Sequence, residues 1–105
     1  MIIFFENRAL EDLYLTGFTI DKKYRRFQKN VIKAYIKTVN YLRAARRIED
    51  LYLINSLRYS KKTGNLDGQE YVRINDKYRL RFRSFPGEDE VVINVELIEI
   101  SKHYE

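Results

Sequence analysis

The sequence predicts an α+β domain in which two helices cover one face of an antiparallel sheet. Three observations carry this reading. The chain opens on a short, apolar and partly β-branched run, Met1–Phe5. Residues 22–48 contain neither Gly nor Pro and repeat apolar side chains at three- and four-residue steps, the period of a helix. Glu70–Ile74 and Tyr78–Arg83 instead alternate apolar and polar residues, the period of half-buried strands.

Taken in order, Met1–Phe5 (MIIFF) is a short strand. Asn7 is placed to cap a helix over Arg8–Thr16, whose Leu10, Leu13 and Tyr14 share one face, and Gly17 ends it. Asp21 is the expected cap of the long helix over 22–48. Phe27, Val31, Ile32, Tyr35, Val39, Leu42 and Ala45 form its buried stripe. Lys22, Arg26, Lys29, Lys33 and Lys37 line another face, as a solvated surface or as a track for phosphates or an acidic partner. Ile48–Leu57 is a short helical connector. Arg58–Gln69, with Gly64 and Gly68, is a loop.

The hairpin register follows from the alternation. A two-residue turn would oppose Ile74 to Lys77 and mix the faces. A three-residue turn, Asn75-Asp76-Lys77, opposes Ile74 to Tyr78 and Val72 to Leu80 and keeps the apolar face whole. The same register sets Arg73 opposite Arg79. Like charges in that position repel, so a nearby Glu or a ligand phosphate is expected beside them. Pro86-Gly87 marks a loop and Val91–Ile100 the last strand, whose Glu96 and Glu99 are candidates to answer the arginines. The tail Ser101–Glu105 carries the single His, His103, beside Tyr104.

The chain has 105 residues, consistent with one domain over 1–105. One His and no Cys exclude a Cys/His zinc cluster and a disulfide scaffold. The aromatic content, nine Tyr and six Phe, suits a packed core rather than disorder. The longest apolar run is too short to span a membrane and no signal-peptide layout is seen, so the expected location is the cytoplasm. The net charge of +5 is unevenly spread. Residues 22–47 hold ten bases and no acid, and 56–83 hold eight bases against three acids, while both ends are acidic. Such blocks permit internal neutralisation and also a field for a polyanion.

If the helices cover the apolar face, the opposite face presents Arg73, Arg79 and Arg81 with Tyr71. His103 and Tyr104 extend from the last strand, and Lys61 and Lys62 lie in the loop feeding the hairpin. Arginines with His, Tyr and Lys, without metal ligands, suit metal-independent phosphodiester cleavage. RNA supplies its own 2′-OH, leaving the protein to move protons and neutralise the phosphorane. Arginine binds phosphate bidentately, and aromatic rings stack on unpaired bases. Each element has a bland alternative. The arginines could pair with Glu on a solvated face, His103 could be merely exposed, and Tyr104 could be a hydrophobic anchor.

Residues 64–82, GNLDGQEYVRINDKYRLRF, resemble the signature of HigB-type toxins of the RelE/ParE superfamily, roughly L-K-G-D-x-x-G-x-x-S-I-R-I-N-D-x-[YW]-R-[IL]-x-F. The opening Phe5–Glu11 with Leu13 and Gly17, and the ending LIEISKHY over 97–104, are similar as well. The resemblance spans nearly the whole chain, and its R-I-N-D-x-Y-R core is fairly specific. It implies a β-α-α-β-β-β fold with a curved antiparallel sheet and two helices on one face. It implies a ribosome-dependent mRNA endoribonuclease, the toxin of a type II toxin–antitoxin pair. It further implies neutralisation by a HigA-type helix-turn-helix antitoxin.

By the same resemblance, Arg79 matches the arginine that contacts the scissile phosphate, and His103 and Tyr104 match the terminal His/Tyr element. Thr63 stands where the family has its lysine, and Asn65 replaces the neighbouring Asp. Lys62 is the substitute ammonium. The expected catalytic set is therefore Arg79, His103, Tyr104 and Lys62, with Arg73, Arg81, Lys61, Tyr71, Lys29 and Lys33 binding RNA. No metal or other cofactor is expected. The competing readings are a binding protein without chemistry on the same fold, either a ParE-like gyrase inhibitor or a degenerate toxin that only binds antitoxin, and a small RNA- or ribosome-binding adaptor.

Overall fold

The computed structural model describes residues 1–62 and 68–102. Strand β1 (Ile2–Phe5) leads into helix α1 (Arg8–Thr16) and helix α2 (Lys29–Ala44). Two 3₁₀ turns, Ile48–Leu53 and Asn55–Leu57, connect to a two-residue strand β2 (Ser60–Lys61). Strands β3 (Glu70–Arg73), β4 (Tyr78–Pro86) and β5 (Ile93–Lys102) follow. All five strands join one sheet in the order β1-β5-β4-β3-β2. Pairing is antiparallel from β2 through β5, and β1 adds to β5 in parallel at the edge; α1 and α2 carry the chain from β1 to β2 at the opposite edge, and the antiparallel strands return it to β1.

The first helix has the expected ends. The Asn7 side chain accepts from the Leu10 amide at 3.0 Å, and Gly17 takes the left-handed conformation at φ 75° that closes the last turn. The second helix is shorter than its period suggested. Asp21 caps only a single turn, accepting from the Lys23 amide at 2.8 Å. The chain then turns Tyr24 into the core, where its hydroxyl accepts from the Ile100 amide at 3.2 Å. The helix proper starts after Gln28, so Lys22 and Arg26 lie outside it and the lysine stripe on α2 is Lys29, Lys33 and Lys37. At its far end, the Met1 amino group donates to the carbonyl oxygens of Leu42, at 3.2 Å, and Arg43, at 2.9 Å, which stops the helix at Ala44.

Tyr35, Val39 and Leu42 of α2 and Leu10 and Leu13 of α1 pack on Val72, Leu80, Phe82, Val95, Leu97 and Ile100 of the sheet. The helices therefore cover one face, and among the described residues no element covers the other, called here the open face. The last strand begins two residues later than the apolar run suggested. Asp89 accepts from the amides of Val91 and Val92, at 3.1 and 3.3 Å, and holds them in the turn.

One irregularity in the β4–β5 ladder decides the chemistry of the open face. Arg81 opposes Glu99 but Phe82 opposes Leu97, so Ile98 is an extra residue in β5. Residues 96 and 99 would lie on opposite faces of a regular strand. The bulge brings both glutamates onto the open face.

Candidate active site

The three-residue turn holds. The Ile74 amide donates to the Tyr78 carbonyl at 3.0 Å, and Val72 pairs with Leu80. Asn75 shapes the turn by accepting from the amides of Lys77 and Tyr78, at 2.9 and 2.8 Å. Arg73 faces Arg79 across the hairpin, as the alternation required.

The anion beside Arg73 is not a Glu but Asp76 of the turn itself, which forms an ion pair with the Arg73 guanidinium. The Arg73 hydrogen bond and charge hold the Asp76 carboxyl below its ordinary value. Arg79 lies over the Tyr71 ring, its guanidinium carbon 4.5 Å from the ring centroid. The Lys62 ammonium lies over the same ring at 5.4 Å. Lys62 is held there by its amide, which donates to the Gln69 carbonyl at 2.9 Å and continues the β2–β3 pairing. Lys62, Tyr71 and Arg79 thus form one group on the open face.

The remaining arginines are engaged differently. Arg81 bonds Glu99 at 2.9 Å and Gln69 at 3.1 Å, and Arg83 lies 3.7 Å from Glu96. Glu99 also pairs with Lys23, whose ammonium it holds above its ordinary value. The positive excess of the open face is therefore offset along β5, while the Lys62–Arg79 group sits at the β3 side of the sheet.

Not every expected RNA-binding residue joins this group. Lys61 opposes Glu70, a core-face position, so the alternation puts it on the other face of the sheet from Lys62. Lys29 and Lys33 are exposed on α2, on the helix layer, away from the open face. Tyr71 is only 3% exposed, which leaves no ring face for a base to stack on. Thr63, Asn65, His103 and Tyr104 lie outside the described residues.

Glu70 was missed by the reading of the sequence. It is 2% exposed and its carboxylate accepts from the Tyr59 hydroxyl at 2.6 Å and from the Ser84 amide and hydroxyl at 2.7 Å each. It thereby ties the start of β3 to β4 and to the residue preceding β2. The signal was present: Glu70 is in phase with Val72 and Ile74 on the apolar face. Among the described residues no group of three or more His, Cys, Asp and Glu gathers, and no helix is long and apolar enough to cross a membrane.

A sheet covered on one face by two helices in this way has a counterpart among solved structures. The YoeB/ParE toxin from Agrobacterium tumefaciens superposes with a TM-score of 0.56 over 99% of this chain and 100% of that one. At 15% identity this likeness is one of fold. The family described as RelE-like toxin of type II toxin-antitoxin system HigB matches residues 2–98. Toxin HigB-1 of Vibrio cholerae serotype O1 (strain ATCC 39315 / El Tor Inaba N16961) is 30% identical over 87 residues, covering 83% of this chain and 87% of that protein. The chain belongs to the HigB-like family of RelE-type toxins, and membership implies an antitoxin partner.

Proposed function

We propose that the chain is a ribosome-dependent mRNA endoribonuclease that cleaves by attack of the RNA's own 2′-OH. The observation that carries this reading is the placement of the Lys62 and Arg79 cations over one buried ring on the open face. Family membership supports it, since HigB-like RelE toxins are generally mRNA-cleaving. In the reaction the 2′-oxygen bonds to phosphorus as the P–O5′ bond breaks, leaving a 2′,3′-cyclic phosphate and a 5′-hydroxyl. Arg79 offers two parallel N–H donors to the phosphorane oxygens and keeps its charge throughout. Lys62 is assigned the proton of the departing 5′-oxygen. His103 or Tyr104 takes the proton from the 2′-OH. Arg73 adds charge at the hairpin end, and Arg81, fixed by Glu99 and Gln69, borders the group.

The substrate is mRNA on the ribosome, in the cytoplasm. Lys29 and Lys33 on α2 meet ribosomal RNA or the antitoxin, a helix-turn-helix protein of the HigA type. A second reading, a toxin that binds without cleaving, is favoured by Thr63 at the family's lysine position.

Inducing the wild type and Arg79→Ala in cells, and mapping new mRNA 5′ ends by primer extension, separates the two. Growth arrest with in-frame cuts is expected from the wild type. Removal of one transition-state donor lowers cleavage by about 10²–10³-fold in Arg79→Ala. Arrest without new cuts overturns the nuclease reading, and gyrase-linked DNA damage in its place supports the binding-only alternative.

A further inference from the structure

We propose that Tyr71 is a positioning residue whose ring fixes the spacing of Arg79 and Lys62, and that it is not a surface for stacking bases. This rests on the nuclease reading for its consequence but on geometry for its substance. The ring is buried to 3% exposure, while the two cations that contact it are half-buried. It lies between Ser60 and Arg81 in the pairing of β2, β3 and β4, so its own place is set by backbone ladders on both sides. Arg79 arrives diagonally from β4 and Lys62 from the end of β2.

Each cation ends a long stem of rotatable bonds, and the two repel. The electron-rich face of a ring attracts both. One ring held by two strands therefore gives the two charges a common reference point. A phosphate entering the site meets Arg79 and Lys62 already at a set separation, which is what a positioned donor and a proton source require. The property needed is the aromatic face. The Tyr71 hydroxyl is dispensable to it.

The test compares Tyr71→Phe with Tyr71→Leu in cleavage of mRNA on programmed ribosomes. Phe keeps the ring face, and wild-type kinetics are expected. Leu removes it, and kcat is expected to fall by about 100-fold, the scale of an ångström-sized misplacement, with KM little changed. A rise in KM at unchanged kcat would mean that Tyr71 contacts the RNA, and overturns the proposal. So does a Leu variant that cleaves like the wild type. The second measurement needs no activity and no variant: the side-chain methylene protons of Arg79 and Lys62 in the purified chain. Ring-current shifts upfield are expected for both, and their absence overturns the proposal. If the wild type cuts no message, the nuclease reading falls, while the shifts still decide whether the ring holds the two cations.

Discussion

Arg73 and Arg79 stand directly opposite each other across the β3–β4 hairpin. Two like charges in this position weaken a hairpin, and the structure meets the cost with two different devices. Arg73 is drawn toward the turn by Asp76, and Arg79 is laid over the Tyr71 ring. The result is a pair of guanidiniums on adjacent strands at one end of the open face.

Asp76 is therefore expected to matter for stability only while it is ionised. Its folded carboxyl sits below the ordinary carboxylate value because of the Arg73 hydrogen bond and charge. A depressed folded value means the contribution is present above the unfolded value and is lost as pH falls through the folded one. Asp76→Asn should thus lower Tm at neutral pH. Thermal melts of both proteins at descending pH should converge in the acid range, once the wild-type carboxyl is protonated.

Glu70 makes a larger prediction because it is buried. Its carboxylate is the acceptor for the Tyr59 hydroxyl and both Ser84 donors. Glu70→Leu leaves these groups without an acceptor inside the protein, at about 1–3 kcal/mol each for those that water does not reach, and a loss of about 3 kcal/mol in total is expected. Glu70→Gln keeps an acceptor oxygen and should cost about 1 kcal/mol. Urea unfolding of the three proteins measures the order. Equal midpoints for Leu and Gln would show that the carboxylate site is not what holds β3 to β4.

The fold was legible where a short-range period was decisive. The caps at Asn7 and Gly17, the three-residue turn and the apolar faces of β3 and β4 all follow from local spacing, and all are found. The limits of α2 were not legible, because they are set by partners distant in sequence: Tyr24 reaches Ile100, and the Met1 amino group reaches the carbonyls of Leu42 and Arg43. The bulge at Ile98 was also hidden. Glu96 and Glu99 were expected to meet arginines, and they do, but strict alternation would have placed them on opposite faces. In the site, the Arg73–Arg79 pairing was readable from register. The burial of Tyr71 was not, because a strand pattern puts it with the arginines on the polar face and does not encode long side chains such as Lys62 and Arg79 lying over its ring.

Tyr35 should give the protein an alkaline limit. Its fully buried hydroxyl donates to the Leu10 carbonyl at 2.8 Å, linking α2 to α1. Burial pushes this hydroxyl well above the ordinary tyrosine value. A raised folded value means that its stabilisation is complete below the unfolded value, about 10, and declines as pH rises beyond it, because the unfolded chain releases the proton first. Tyr35→Phe is expected to cost about 1 kcal/mol at neutral pH through the lost hydrogen bond. Above the unfolded value the gap between wild type and variant should narrow. Denaturant melts at neutral and strongly alkaline pH check this, and a gap that widens with pH would contradict it.

Lys61 and Lys62 are adjacent in sequence, and composition cannot tell them apart. The strand pairing can. Lys61 opposes Glu70 on the helix-side face, whereas Lys62 follows on the open face with its ammonium over Tyr71. If Lys62 delivers the proton to the leaving oxygen, Lys62→Ala should lose about 10²–10⁴-fold in cleavage, the range of a positioned general acid, and Lys61→Ala should cleave at the wild-type rate. Lys62→Arg adds a sharper distinction. A guanidinium restores the charge but does not release a proton at neutral pH, so Arg should recover mRNA binding without recovering kcat. Full recovery by Arg would show that the position supplies charge alone, and the proton would then have to come from elsewhere in the site. Single-turnover cleavage of ribosome-bound mRNA by the four proteins reads both outcomes, with KM reporting the charge and kcat the proton.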